Sequence, residues 1–240
     1  NADITIGNIV GSNILNILVI LGLAASIVPI AVARSTVRIE IPFMIGVTAL
    51  LFYQGRDSSI SLADGGVLMV AFAAYMMYLY TMAMKSNVDS DLEEPGLPLG
   101  RCLLGAVGGL ALIIAGSNVT VGAATSIATY AGLSERFIGL TIVALGTSLP
   151  ELFTSVAAAR RGNADIAIGN IVGSNIFNIL FVVGLSSLII DIPFASAFNF
   201  DTYVALGAAV LLWLCVLRTQ RLQRWAGALM LASYGVYLWY

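Results

Sequence analysis

This sequence predicts an all-α, polytopic membrane protein that contains an inverted internal repeat. Three observations carry the prediction: the composition, the charge-free runs and a duplicated segment. Hydrophobic residues make up 59% of the 240 residues and charged residues only 10%. An ordinary soluble domain carries about 25% charged residues, so a water-soluble globule of this size would be left with a largely apolar surface.

Four charge-free runs are each long enough to cross a bilayer. They lie between Asp3 and Arg34, Asp64 and Lys85, Arg101 and Glu135, and Asp165 and Asp191. A helix of about 20 apolar residues crosses a hydrocarbon core about 30 Å thick. The runs do not alternate between apolar and polar residues, which excludes an outer-membrane barrel.

Taken in order, the apolar segments predict eight membrane spans, with ends uncertain by a few residues. They are 4–30, 38–55, 64–84, 101–128, 136–160, 165–190, 201–218 and 222–240. The second is the weakest, because only 15 uncharged residues separate Glu40 from Arg56. We expect it to span only if Arg38 snorkels or the bilayer thins locally.

One hydrophilic stretch, KSNVDSDLEEPGLP at 85–98, holds four acids and two prolines and is typical of a loop. It divides the single transmembrane domain into three parts. We expect 1–84 to be the remainder of a first repeat half with three helices. Residues 85–99 would be a cytoplasmic linker, and 100–240 a second half with five helices.

Basic residues are distributed unequally between the two sides of the eight-span arrangement. One side receives nine of them: Arg34, Arg38, Lys85, Arg101, Arg160, Arg161, Arg218, Arg221 and Arg224. The other side receives only Arg56 and Arg136. Because cytoplasmic loops are enriched in Lys and Arg, we expect the nine-residue side to be cytoplasmic and the C-terminus to lie outside.

The composition also excludes several classes of function. A net charge of −2 with no basic block gives a nucleic-acid backbone nothing to bind. The absence of His removes His-based zinc sites and Ser–His catalysis, so we expect a protein that is not an enzyme and has no cofactor. The two cysteines lie in separate apolar runs and are expected to be packing residues rather than a disulfide framework.

The duplicated segment is the most informative feature. Residues 1–22, NADITIGNIVGSNILNILVILG, and 163–184, NADIAIGNIVGSNIFNILFVVG, are identical at 17 of 22 positions, at an offset of 162. The copies begin the first and sixth spans, so they cross the membrane in opposite directions. Inverted repeats of this kind are the signature of secondary transporters, whose site lies near the midplane between the repeats.

The segment before the second copy has no counterpart here, because residues 136–162 map to positions before Asn1. We therefore expect the protein to continue upstream with at least one partner helix, which carries a segment like GTSLPE.

Glu151 is the only carboxylate deep inside a predicted span, within GTSLPE at 146–151. A charge at that depth costs about 2.5–3.5 kcal/mol on insertion scales. Pro150 would free the carbonyl of Gly146, and Thr147 and Ser148 could share one helical face with Glu151. Such oxygens suit a hard cation such as Ca²⁺. The structural alternative is a helix kinked at Pro150, in which the Ser and Thr hydroxyls hydrogen-bond to their own helix backbone. A glutamate near the membrane midplane disfavours this alternative.

Both copies of the repeat also carry Ser and Asn one turn apart. These are Ser12 and Asn16 in the first copy, and Ser174 and Asn178 in the second. A purely structural interpretation is close helix packing through Gly7-x-x-x-Gly11 and Gly169-x-x-x-Gly173, with Asn side chains joining the helices. We expect both: glycines that let the helices approach, and neutral oxygens for a cation.

GTSLPE, NADIAIGNIVGSNIFN and the copy NADITIGNIVGSNILN resemble the two alpha-repeats of the calcium/cation antiporter superfamily, in its prokaryotic sodium/calcium exchanger-like branch. The resemblance covers the whole chain. It implies ten transmembrane helices, of which spans 1–8 would be helices 3–10, and a bacterial or archaeal inner membrane.

The resemblance also implies a ligand set for the transported Ca²⁺ and Na⁺. By position it comprises Ser12, Asn16, the carbonyl of Ala144, Thr147, Ser148, Glu151, Ser174 and Asn178. A partner glutamate for Glu151 would lie upstream. Several sodium/calcium exchangers have Asp where this chain has Asn178, which leaves the coupling ion and the stoichiometry open.

These features together predict a secondary antiporter that exchanges Na⁺ and Ca²⁺ by alternating access around Glu151. The expected partners are metal cations and the lipid bilayer, with the upstream helices of the same protein; the sequence leaves the oligomeric state open. Two alternatives stay open: exchange coupled to H⁺ or K⁺, and a cation channel or a non-transporting scaffold.

Overall fold

The computed structural model describes residues 2–86, 98–132, 148–161, 164–196 and 198–239. These residues are mostly helical, which confirms the predicted all-α class. The chain forms two compact units. The larger comprises Asn1–Met69 and Glu151–Tyr240, and the smaller comprises Val70–Pro150.

Ten α-helices are present in the described part of the chain: α1 (Ala2–Leu15), α2 (Gly22–Ile27), α3 (Ile41–Gln54), α4 (Leu62–Ser86), α5 (Leu99–Tyr130), α6 (Leu149–Arg160), α7 (Ala164–Phe177), α8 (Gly184–Ile189), α9 (Phe198–Leu217) and α10 (Arg224–Trp239). Three π-helical segments accompany them: π1 (Asn16–Leu21), π2 (Thr36–Glu40) and π3 (Asn178–Val183). π1 joins α1 to α2, and π3 joins α7 to α8, so each copy of the repeat forms one continuous helical run.

Six helical runs in the described residues are long and apolar enough to cross a membrane: Ile6–Ile27, Thr36–Asp57, Leu62–Lys85, Gly100–Tyr130, Ala167–Ile189 and Phe198–Leu217. They match predicted spans 1, 2, 3, 4, 6 and 7. The eighth corresponds to α10, which has 16 residues. Residues 136–147 of the fifth span and 87–97 of the predicted linker lie outside the described residues.

The second span is longer than its uncharged core suggested, because the helix includes a buried carboxyl group. Glu40 ends π2 and is only 6% exposed. The Thr36 hydroxyl, one turn earlier, donates a hydrogen bond of 3.1 Å to Glu40 Oε2. A buried polar group is tolerated when it is hydrogen-bonded, so the span extends over Thr36–Asp57.

Two pairs of short strands join loops that are far apart in the chain. β1 (Ile30–Ala31) pairs antiparallel with β4 (Arg221–Leu222), and β2 (Ser59–Ile60) pairs antiparallel with β3 (Ile192–Pro193). The offset of 162 residues converts one pair into the other. Each pair joins two loops that the eight-span alternation puts on the same side, so the pairing agrees with that alternation.

The closest helix crossings obey the same symmetry. A Cβ atom added at Gly227 of α10 would lie 2.6 Å from the backbone oxygen of Gly22 in α2. One added at Gly65 of α4 would lie 2.9 Å from the backbone oxygen of Gly184 in α8. Gly22 and Gly184 are equivalent repeat positions, as are Gly65 and Gly227, so glycine is needed at both crossings.

Among the described residues, the expected packing around the two G-x-x-x-G motifs is found at Gly7 and at the asparagines that join the helices. An added Cβ at Gly11, Gly169 or Gly173 would meet no described atom within 4 Å, and one at Gly7 would meet the ring of Phe198. The helices that carry these motifs meet through asparagine side chains, which confirms the expected role of Asn in joining them.

Candidate cation site

Glu151 lies in the first turn of α6. Its predicted place deep inside the fifth span stays a prediction, because residues 136–147 of that span lie outside the described residues. Pro150 is tolerated at the start of α6, since the first-turn N–H groups have no intrahelical partner. The positive end of the helix dipole also favours a carboxylate in this turn.

One oxygen of Glu151 has no hydrogen-bond partner among the described residues. Its Oε2 is buried, and within the described residues no donor reaches it. A buried carboxylate oxygen normally has a donor or a cation beside it, because desolvation without compensation costs several kcal/mol. This atom is therefore poised to accept a ligand.

α6 packs against α7 in the opposite direction. The Ser155 hydroxyl donates to the backbone oxygen of Ala167 at 3.5 Å, and Asn170 Nδ2 donates to Thr154 Oγ1 at 3.5 Å. Each helix rises about 1.5 Å per residue. The first turn of α6, with Glu151, therefore lies level with the turn of α7 that contains Ser174.

Four asparagines join the two copies of the repeat where α1 meets α7. Asn13 Nδ2 donates to the backbone oxygen of Asn175 at 3.2 Å, and Asn175 Nδ2 donates to the backbone oxygen of Asn13 at 3.2 Å. Asn16 Nδ2 donates to Asn175 Oδ1 at 2.9 Å, and Asn178 Nδ2 donates to Asn13 Oδ1 at 3.0 Å. The four bonds form two equivalent pairs under the 162-residue offset.

The amide oxygen of Asn16 is a second acceptor without a donor in the part of the chain that the structure describes. Asn16 is 3% exposed, and no donor in the described part of the chain reaches its Oδ1. Asn16 opens π1, and the equivalent Asn178 opens π3. Single π-helical turns inside α-helices are frequent at functional sites, and here both copies place a predicted ligand at the start of one.

The structure brings together some of the predicted ligands. Ser12 and Ser174 are half-buried, and each directly precedes one of the two central asparagines, Asn13 and Asn175. Ser148 is buried in the turn directly before α6. Ala144 and Thr147 lie outside the described residues.

Sequence reasoning did not select Asn13 and Asn175. Both are buried, at 4% and 1% exposure, and both are identical at equivalent repeat positions. That identity was the available signal, but it did not reveal that each amide reaches across to the other copy.

The described residues of the candidate site offer oxygen atoms as ligands. Among the described residues no group of three or more His, Cys, Asp or Glu side chains could hold a metal ion. The available oxygens are one carboxylate, amides and hydroxyls. Oxygen ligands suit hard cations.

Comparison with known proteins decides the family. Residues 1–81 and 102–240 match the family described as Sodium/calcium exchanger protein. The chain belongs to this family. The predicted superfamily is thereby confirmed, and the family is one of membrane transporters.

Individual relatives agree with this assignment. Inner membrane protein YrbG of Escherichia coli is 36% identical over 253 residues, covering 98% of this chain and 76% of that protein. Sodium/calcium exchanger MaX1 of Methanosarcina acetivorans is 36% identical over 129 residues, covering 53% of this chain and 37% of that protein. A structure of the sodium-calcium exchanger NCX_Mj superposes with a TM-score of 0.79 at 32% identity, covering 99% of this chain and 76% of the other.

Proposed function

We propose that this protein is a secondary antiporter that exchanges Ca²⁺ for Na⁺ across a membrane. Membership of the sodium/calcium exchanger family supports Ca²⁺ and Na⁺ as the exchanged ions. The observation that carries the proposal is the buried Oε2 of Glu151, which accepts no hydrogen bond within the described residues. A packing role would be served better by Leu or Gln, because neither buries a charge.

The proposed site combines Glu151 with neutral oxygens from both copies of the repeat. Asn16 Oδ1, which is buried and also unpartnered in the described residues, supports the inclusion of the first copy. Ser12, Ser174 and Asn178 surround the same junction, and Ala144, Thr147 and Ser148 are the ligands proposed from the segment before α6. A second carboxylate would come from an upstream segment equivalent to GTSLPE.

Transport would proceed by alternating access. The empty site carries the charge of its carboxylates, so moving it through a low-dielectric barrier is unfavourable. Cation binding neutralises that charge, and only the loaded site would then switch between the outward-facing and inward-facing states. This coupling makes transport an exchange and not a leak.

The residue at position 178 favours a second candidate for the coupling ion, H⁺ or K⁺ in place of Na⁺. Asn178 offers an oxygen but no titratable charge, so the site holds less negative charge than one with Asp at this position. H⁺ or K⁺ could therefore replace Na⁺ as the counter-ion. The resemblance to the prokaryotic branch of the family supports a prokaryotic inner membrane. The nine-to-two distribution of basic residues supports a C-terminus that lies outside.

Ion flux with the full gene product in sealed vesicles tests this function. Na⁺, K⁺ and H⁺ gradients are imposed one at a time, and ⁴⁵Ca²⁺ uptake is measured. We expect uptake only when Na⁺ is present on the opposite side. Uptake without any counter-ion would indicate a channel. Uptake driven by H⁺ or K⁺ alone would show that this ion, and not Na⁺, is the coupling ion. No uptake under any gradient would indicate a scaffold.

A further inference from the structure

We propose that Asn13 and Asn175 are positioning residues that turn the amides of Asn178 and Asn16 so that their oxygens, and not their NH₂ groups, face the cation. The inference rests on the proposed function, because it concerns the ligands of that same site. It also assigns a role to two buried side chains that the ligand set does not include.

The orientation of the Asn13 amide is fixed by a backbone group. The two ends of an amide have nearly the same shape, so hydrogen-bond partners must decide which end is which. Asn13 meets the backbone oxygen of Asn175 at 3.2 Å, and a carbonyl oxygen only accepts. The atom there must be Nδ2, which leaves Oδ1 as the acceptor that faces Asn178.

This acceptor then orients Asn178. Only the NH₂ end of Asn178 can donate to Asn13 Oδ1, and the two atoms are 3.0 Å apart. The oxygen of Asn178 is therefore turned away from Asn13. The Asn178 amide is thus oriented, through Asn13, by the backbone oxygen of Asn175.

The second copy repeats this order in the other direction. Asn175 donates to the backbone oxygen of Asn13 at 3.2 Å, and its Oδ1 accepts from Asn16 Nδ2 at 2.9 Å. The result is visible at Asn16, whose Oδ1 is buried and has no donor in the described part of the chain. Each copy of the repeat therefore orients the ligand of the other copy.

The orientation matters because an amide has two chemically opposite ends. The NH₂ end carries partial positive charge and repels a cation, whereas the oxygen binds it. A free amide would sample both ends, and binding would have to select the correct one. A fixed amide is preorganised, so that ordering cost does not reduce the affinity.

A crossed set of alanine variants tests the proposal in full-length protein reconstituted in vesicles. The measured quantity is the Ca²⁺ concentration for half-maximal Na⁺-driven exchange. We expect Asn175→Ala to raise it by roughly fivefold, the scale of one lost hydrogen bond to a ligand. In the Asn16→Ala background, Asn175→Ala should have no further effect, because the ligand it orients is already absent.

The matched control is the same substitution beside the other ligand. In the Asn178→Ala background, Asn175→Ala should keep its full effect, because the Asn175 amide is hydrogen-bonded to Asn16, whereas Asn178 donates to Asn13. The equivalent set of variants in the other copy reverses these expectations. Asn13→Ala should leave the half-saturating Ca²⁺ concentration unchanged in the Asn178→Ala background, and should raise it by its full factor in the Asn16→Ala background. A residue that only supports the fold would give effects that multiply in every background.

Each result decides between the two claims. Effects that multiply in both backgrounds, or a lowered thermal midpoint with unchanged half-saturation, overturn the positioning role while exchange itself stands. If neither Asn175→Ala nor Asn13→Ala reaches the membrane folded, both residues are structural and the positioning role is also overturned. If the unaltered protein shows no counter-ion-dependent uptake, the proposed function fails and this inference fails with it.

Discussion

The crossing of α2 and α10 gives a stability prediction whose size follows from the structure. A Cβ atom at Gly227 would lie 2.6 Å from Gly22 O, 2.8 Å from Ser26 Oγ and 2.9 Å from Ser26 N. Two of these atoms are backbone, and Ser26 Oγ is held by its own bond of 2.7 Å to Gly22 O. The neighbours therefore cannot move independently of the helix.

Gly227→Ala must then separate the two helices. Bringing the new contact to ordinary van der Waals distance needs a shift of about 0.8 Å, and a gap of that size removes roughly a quarter to a half of each contact energy along the crossing. Overpacking of this kind costs about 1–3 kcal/mol. We expect Gly65→Ala to have a similar cost, because it is the equivalent position in the other copy.

Thermal unfolding in detergent, followed by tryptophan fluorescence, measures this cost. Gly235→Ala is the matched control on the same helix, because an added Cβ there meets no described atom within 4 Å. That variant should be neutral or slightly more stable, since Ala favours helix over Gly by up to about 1 kcal/mol. A Gly227→Ala protein as stable as Gly235→Ala would refute the crossing.

Three further predictions concern a turn, a hydrogen bond between two helical segments and the topology. Ser58 has a φ of 70° before β2, so Ser58→Val should lower stability by about 1–2 kcal/mol while Ser58→Gly keeps it, as thermal midpoints would show. Trp213 Nε1 donates to the backbone oxygen of Val37 at 3.0 Å, so Trp213→Phe should cost about 0.5–1.5 kcal/mol in the same assay; no change would contradict the bond. In a cysteine-free background, an impermeant thiol reagent on intact cells should label cysteine introduced at Ser196 but not at Ser90, and the reverse pattern would invert the assigned orientation.

Much of the fold could be predicted from the sequence because membrane spans are determined by length and apolarity. Span 6, for example, was predicted at 165–190 and is observed as the continuous run from Ala164 to Ile189. The inverted repeat was equally clear, because identical polar residues at a fixed offset are improbable in an apolar segment. These features depend on local composition alone.

The features that were missed depend on what lies opposite a residue. The G-x-x-x-G spacing identified glycines on one face of α1 and of α7, but the close crossings are at Gly22 with Gly227 and at Gly65 with Gly184. The two-residue strands are too short to show any periodicity. No residue pattern in the sequence predicted the π segments.

The candidate site was predicted in part for the same reason. Glu151 could be selected from the sequence, because a carboxylate within an apolar span has few explanations. Its position in the first turn of α6 could not, since that depends on where the helix begins. The crossed hydrogen bonds of Asn13 and Asn175 required the two copies to be placed side by side.

The most direct measurement compares Ca²⁺ exchange by two glutamine variants of the full-length protein in sealed vesicles. Glu151 Oε2 has no donor within the described residues, whereas Glu40, the matched buried carboxyl group, is hydrogen-bonded to Thr36. We expect Glu151→Gln to abolish Na⁺-driven ⁴⁵Ca²⁺ uptake with retained expression and thermal stability, because the divalent ion loses its charged ligand while the shape is kept. Glu40→Gln should still exchange. Normal uptake by Glu151→Gln, or its failure to fold, would contradict the assignment of Glu151 as the cation ligand.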